Sequence, residues 1–298
     1  MKVRALDSWA GTRRRIARAA RGLLYGLLDR LPATRRIEIL RQLAFSVRRD
    51  LAVQIANLTG GVVQAGLFSG SKLSVDDLSE SERNFVPKIC GFYETELAEI
   101  LAGVARERYS AIINIGCADG FYAIGLARIN ENAIVYASDT SPAAQVRCRK
   151  AAAANGLAHR LKIIGQLQPE DLETMLDQFD RCFIVSDCEG SEKLLLDPIK
   201  VPALAKADLL VECHDFLDPE ITRTLTTRLT PTHVIQIIGE GGRDPNLTRL
   251  LDSQESLIRW LGVCEFRPAP MQWLYAVARA RTLSGSSSLA EERFGDPQ

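Results

Sequence analysis

Apolar residues follow two rhythms along this chain. In the first hundred or so residues they recur at helical spacing, and from residue 111 short solid runs alternate with helical stretches. Ile16, Ala20, Leu23, Leu24, Leu27, Leu28 and Leu31 predict an amphipathic helix over 12–31, which Pro32 stops. Leu40, Leu43, Val47 and Leu51 predict a second helix from Thr34 to Leu58, ended by Gly60-Gly61. Residues 60–80 are rich in Gly, Ser and Asp and read as loop. Residues 83–106 read as helix again, interrupted at Pro87 and Gly91. Their place just before the first strand makes them a candidate lid, with Lys88, Tyr93 and Glu94 as the residues to reach a site beneath it.

The second rhythm predicts strands at Ala111–Ile115, Ala133–Ser138, Leu161–Ile164, Cys182–Ser186 and Asp208–Cys213. The first is apolar throughout except for Asn114, as expected of a strand buried on both faces. Helices are expected near 121–130, 142–155, 169–178 and 191–197. Strands alternating with helices imply right-handed crossovers and a parallel sheet. A helix near 218–228, a strand at His233–Ile238, a helix near 253–261 and a strand at Gln272–Ala278 complete the pattern. The expected organisation is a helical region at 1–59, a loop and helical lid at 60–106, an α/β domain at 107–282 and a disordered tail at 283–298.

Composition narrows the picture. The 298 residues are 46% apolar, enough for a large core, and the formal net charge is zero, so no whole-chain argument for nucleic acid arises. Charge is uneven, however: residues 1–50 hold thirteen Lys or Arg against four Asp or Glu. That basic face suits anionic lipid, a glycolipid head group or a protein partner. Charge runs on helices are commonly just solvated, so a helical appendage with a solvated arginine face is the expectation. The seven cysteines are scattered, form no C-x-x-C pair and read as reduced core thiols. No apolar run approaches the ~20 residues that span a bilayer. Leu23–Leu28 is short and interrupted by Asp29, so no secretory signal is expected. The expected location is cytoplasmic, with a membrane-peripheral contact left open.

Candidate chemistry begins after the first strand, in Gly116-Cys-Ala-Asp-Gly120-Phe-Tyr122. Glycines at a strand-to-helix turn let backbone and ligand approach, and the free N–H groups of the first helical turn favour an anionic group. Asp119 is placed to cap that helix. A dinucleotide turn needs glycine at its first, third and sixth positions. Here those positions hold Gly116, Ala118 and Phe121, so that match fails. The spacing Asn114-x-Gly116-x-Ala118-x-Gly120 instead resembles the first motif of class I methyltransferases that use S-adenosylmethionine.

Polar residues close most of the strands. Asp119 follows the first, Asp139-Thr140-Ser141 the second, Asp187-Cys188-Glu189-Gly190 the fourth and Glu212-Cys213-His214-Asp215 the fifth. In an open α/β sheet a ligand lies beyond this rim. Asp139 comes about twenty residues after the glycine turn, where an acid takes ribose hydroxyls; equally, it can cap the helix beginning at Pro142. Gln166, after the third strand, is placed for an adenine edge. Glu212 and His214 are two apart in a strand and share a face.

The runs Ile184-Val-Ser-Asp187-Cys-Glu189-Gly190-Ser-Glu192 and Leu210-Val-Glu212-Cys-His214 resemble the FkbM-type family of S-adenosylmethionine methyltransferases, as do Ser141-Pro142 and Asn155-Gly156. The resemblance covers roughly residues 110–215. Asn114 stands where that family carries an acid in the first strand, and Asp139 where it carries a glutamate. The resemblance implies a Rossmann-like class I methyltransferase sheet, mostly parallel with an antiparallel edge strand. It implies S-adenosylmethionine held by Gly116, Cys117, Ala118, Asp119, Gly120, Tyr122, Asp139, Thr140, Gln166 and Asp187. It also implies transfer to a hydroxyl of a small molecule or glycan.

Such a reaction needs the acceptor's proton removed. His214 is the candidate base, with Asp187, Glu189 or Glu212 orienting it. Alternatively Asp187, Glu212 and His214 ligate a divalent metal, magnesium or manganese. Two rivals stand beside this: a catalytically silent methyltransferase-like scaffold, and a nicotinamide-dependent oxidoreductase, which Phe121 disfavours.

Overall fold

The computed structural model describes residues 22, 25–76, 78 and 84–279. The expected tail at 283–298 lies outside them, as does most of the expected helix over 12–31, of which 25–29 is helical. Two compact units divide the chain, Met1–Asp50 and Leu51–Gln298.

The division falls inside one helix, α1 (Ala33–Thr59), rather than at the Gly60-Gly61 pair where composition shifts. The reason is packing. Leu51, Ala52, Ile55 and Ala56 recur at helical spacing and are buried in the core of the second unit. Beyond α1, an antiparallel bridge pairs Val62 with Lys72 and closes a loop whose Phe68 is buried. The expected helical lid is broken where Gly91 takes a left-handed conformation, giving α2 (Phe85–Cys90) and α3 (Ala98–Arg106).

The alternating pattern then folds as its rhythm predicts. In order come β1 (Ala111–Ile115), α4 (Phe121–Ile129), β2 (Ile134–Ser138), α5 (Pro142–Ala154), β3 (Leu161–Ile164), α6 (Pro169–Asp177) and β4 (Cys182–Ser186). They are followed by α7 (Glu192–Leu195), β5 (Ala207–Cys213), α8 (Ile221–Leu229), β6 (His233–Gly239), α9 (Ser256–Val263) and β7 (Gln272–Ala278). The helix expected over 191–197 is only the single turn of α7.

All seven strands form one sheet in the order β3-β2-β1-β4-β5-β7-β6. The first five are mutually parallel, and β7 runs antiparallel to both β5 and β6. Alternate residues supply two cores. Ile112, Val135, Phe183 and Val185 face the layer that includes α4 and α5, while Ile113, Ile115, Ile184 and Leu209 face the layer of α6 and α8. Every residue of β1, β4 and β5 is therefore buried, which is why those strands read as solid apolar runs. This is the Rossmann-like, mostly parallel sheet with an antiparallel edge pair expected from the sequence. No described helix is long and apolar enough to cross a membrane.

Because Leu51 is only 2% exposed, Leu51→Ala is expected to cost about 2–5 kcal/mol of stability. Urea unfolding checks this. A chain beginning at Gly60 loses Leu51 and Ile55 together and is expected to unfold at a still lower urea concentration. Unfolding of the shortened chain at the full-length midpoint would show that the core begins later.

Candidate functional site

The turn between β1 and α4 is fixed by backbone contacts from both neighbouring strands. Gly116 N–H and Cys117 N–H both donate to the Ser138 carbonyl at 2.9 Å, and Asp187 N–H donates to the Ile115 carbonyl at 2.9 Å. Gly116 has φ +80°, and a Cβ there would lie 1.7 Å from the Asp187 carbonyl oxygen. Only glycine fits. At Gly120, φ +88°, a Cβ would meet Cys148 Sγ at 3.1 Å. That glycine gives room to α5.

Capping also differs from expectation. Gly120, not Asp119, is the N-cap of α4. Asp119 works from one residue earlier: its Oδ1 accepts the Phe121 N–H at 3.1 Å, and its Oδ2 takes Lys88 Nζ at 2.6 Å. This buried pair ties α2 to the glycine turn, with the Lys88 ammonium 5.1 Å from the centre of the Tyr93 ring. For α5 the cap is Ser141, whose hydroxyl accepts the Ala144 N–H at 3.3 Å. Asp139 instead accepts Ala118 N–H at 2.9 Å and Ser141 N–H at 2.8 Å, bridging the glycine turn to the end of β2. Asn114, 1% exposed in β1, has no hydrogen-bond partner for either amide atom among the described residues.

A cleft of about 370 Å³ opens at the carboxyl ends of these strands. Of the residues expected to hold a cofactor, it brings together Gly116, Ala118, Asp139, Thr140, Gln166 and Asp187. Leu167, Leu194 and Leu195 give it an apolar wall. Four expected residues do not line it. Cys117 is buried beside Cys148, Asp119 and Gly120 hold the turn from behind, and Tyr122 points to the lid.

Next to this cleft lies a buried polar cluster. Asp187 lines the cleft and also faces His214 Nε2, with Oδ1 at 3.5 Å. Glu212 Oε2 is 3.7 Å from the same nitrogen. On the other side of the ring, His214 Nδ1 is 2.6 Å from Oε1 of Glu192, a residue with no exposed surface. Arg267 joins the remaining acids. It pairs with Glu212, with Glu94 at 2.8 Å and with Glu265 at 2.9 Å. Tyr122 donates its hydroxyl to Glu94, which carries the lid into the same network. Glu189 is exposed, held at φ 48°, and makes none of these bonds.

So many acids around one guanidinium do not all stay ionised. Burial, then the neighbouring Glu212, pushes Glu94 up to about 8. Burial, then Asp187, pushes Glu212 up to about 8. Asp187, though 31% exposed on its side chain, is raised to about 7, chiefly by loss of water and then by Glu94 and Glu189. Burial alone would lower the His214 pKa, but the Glu192 hydrogen bond and the charge of Glu212 more than reverse it and leave it raised. The cluster therefore gives up protons near neutral pH, as acid–base chemistry requires.

The sequence alone gives Glu192 no contact partner and does not single out Arg267 or Glu265. Glu192 was visible at the end of the Asp187-x-Glu-Gly-x-Glu192 run, which is the one available signal. Arg267 and Glu265 fall in the stretch between β6 and β7, which carries no motif.

No protein-family model matches the sequence, and no curated protein matches it. Solved structures with a similar fold include an O-methyltransferase from Streptomyces achromogenes involved in tomaymycin synthesis, in complex with SAM. It is 15% identical, with a TM-score of 0.44, and the match covers 76% of this chain and 96% of that one. An O-methyltransferase from Bacillus cereus in complex with SAH is 13% identical at a TM-score of 0.41, covering 76% and 91%. A precorrin-6y C5,15-methyltransferase from Geobacter metallireducens is 13% identical at 0.42, covering 60% and 88%. The fold assignment follows from the strand order itself. These identities and scores are too low to carry function across.

The raised pKa values fix how stability depends on pH. The unfolded chain releases these carboxyl protons at about pH 4–5, whereas folded Glu94 and Glu212 hold them to about 8 and Asp187 to about 7. Across that interval the folded state binds more protons, so stability falls as pH rises. A folded His214 pKa raised above its unfolded value acts in the same direction, its stabilisation being lost as pH passes the folded pKa. Urea unfolding in EDTA is expected to show declining stability from about pH 5 to about pH 9, with a shallower decline in Glu94→Gln. Stability rising across this window would contradict the assignment.

Proposed function

We propose that this protein is an S-adenosylmethionine-dependent O-methyltransferase of the FkbM type, acting on a hydroxyl of a small molecule or glycan. One observation carries the proposal. A histidine whose Nδ1 is pinned by a buried glutamate turns its Nε2 toward Asp187, the same residue that walls the cleft at the glycine turn. A carboxylate only accepts hydrogen bonds, so Nδ1 carries the hydrogen and Nε2 is left as a base.

The residues of the cleft fit the cofactor. Asp139 offers two carboxylate oxygens at the end of β2, Gln166 offers an amide beyond β3, and the leucine wall suits an apolar ring face. Gly116, which lines the cleft, lets the Asp187 backbone close against the turn. Asp187, when ionised, supplies negative charge where a sulfonium would be favoured. When bound, S-adenosylmethionine supplies an electrophilic methyl group. The chain's own work is to orient the acceptor, to take its hydroxyl proton at His214 Nε2 and to hold the resulting imidazolium against Glu192, Asp187 and Glu212. A nicotinamide-dependent reading is disfavoured further by Phe121, whose ring packs edge-on against Phe68 and Tyr93 where a dinucleotide turn needs glycine.

A second reading has its own observation. Asp187, Glu212 and His214 offer ligand atoms that all lie within 4.8 Å of one another. Two carboxylates and an imidazole fit magnesium or, better, manganese. An ion there would lower the pKa of the acceptor hydroxyl.

Turnover separates these readings, measured as the gain of one methylene mass on candidate acceptors. His214→Ala is expected to lower kcat by about 10² to 10⁴ if Nε2 is the base. EDTA would then have no effect. Loss of turnover in EDTA, restored by manganese, would favour the metal. Activity untouched by both His214→Ala and EDTA would eliminate both mechanisms. Methyl transfer to no acceptor at all, despite cofactor binding, is the outcome of the scaffold alternative.

A further inference from the structure

The helix α1 exposes what a water-facing helix normally hides. Ile37, Leu40 and Leu43 follow one another at three-residue intervals and so form a continuous row along the helix surface. They are 56%, 67% and 61% exposed, and Leu27, on the preceding helical stretch, is 61% exposed. Single exposed leucines are ordinary, but a row of them marks an interaction surface.

Arg36 and Arg41 stand beside this row, and further arginines lie elsewhere on the helix. Arg35, Arg36, Arg41 and Arg49 are all exposed on the same helix. Arg36 and Arg41 remain 48% and 55% exposed on their side chains even though they pair with Asp29 and Glu38. The charge of the whole chain is sorted around this region. Residues 1–50 hold thirteen of the 37 Lys and Arg but only four of the 37 Asp and Glu.

We propose that α1 between Ala33 and Asp50 lies on an anionic lipid bilayer, with Ile37, Leu40 and Leu43 entering the acyl boundary and the arginines held at the phosphates. The combination selects the partner. Nucleic acid would engage the arginines and leave the leucines in water. A second copy of the chain would bring an equally basic face against this one. A negatively charged membrane surface uses both features at once, since burial of the apolar row adds to attraction of the basic side chains. Long arginine side chains also reach from an interfacial helix to the head groups. The interaction would bring the enzyme to acceptors assembled at a membrane, although no described helix can span one.

The test is flotation of the full-length protein with vesicles of phosphatidylcholine alone or mixed with phosphatidylglycerol. Flotation with the anionic vesicles, weakening as salt is raised, is the expected result. The double variant Leu40→Glu/Leu43→Glu is expected to lower the partition at least about tenfold. Because both side chains are exposed, its thermal unfolding is expected to match the parent's. Arg35→Glu/Arg36→Glu, changing different exposed side chains, is expected to show the same loss and guards against a folding defect in the first variant. The proposal fails if the parent does not float with anionic vesicles, if it floats equally with neutral ones, or if neither variant alters partition. A concentration-dependent dimer that Leu40→Glu/Leu43→Glu dissolves, without vesicle binding, would assign the row to a second copy.

Discussion

One guanidinium holds three distant parts of the chain to one place. Arg267, from the segment between β6 and β7, pairs with Glu94 of the lid, with Glu212 at the end of β5 and with its near neighbour Glu265. Buried carboxylates this close repel one another and lose their water, so without the arginine the lid and the strand end would not share a site. Removing one partner from such a buried group costs several kcal/mol because the others are left uncompensated. Even with Arg267 present the charges do not balance. The imbalance appears as carboxyl protons retained to near neutral pH, and a fold optimised for stability alone would place apolar residues there.

The sheet supplies the other half of the arrangement. Parallel strands buried on both faces bring all their carboxyl ends to one rim, so residues more than seventy positions apart in sequence line a common cleft. Asp187 stands where the two halves meet. Its backbone closes against Gly116, and its side chain faces both the cleft and His214. In the proposed function, cofactor and acceptor chemistry are joined through this single carboxylate, and Glu192 sets which nitrogen of the histidine faces it.

β1, β4 and β5 are legible in the sequence because burial on both faces forces solid apolar runs, and five strands alternating with helices admit few topologies. The rim residues were legible for the same reason: strand ends define them. What the sequence did not reveal depends on side chains meeting across long loops. Glu192 stands in a quoted motif, yet its contact with His214 joins the turn after β4 to the end of β5, residues twenty-two positions apart. Arg267 and Glu265 occupy a stretch without periodicity or motif. At Gly120 and Asp119, motif spacing does not distinguish a residue needed by a ligand from one needed by the neighbouring helix. At the end of α1 the glycine pair marks a change in composition, whereas the core reaches back to Leu51.

Cofactor recognition at the cleft is the claim on which the rest of the function stands, and calorimetric titration tests it most directly. Titrating S-adenosylmethionine or S-adenosylhomocysteine into the protein is expected to give one site per chain. Asp139→Ala is expected to weaken that site by about tenfold or more, as loss of a charged hydrogen-bonding partner does. Absence of binding by the unaltered protein, or an affinity unchanged in Asp139→Ala, would contradict the assignment of this cleft.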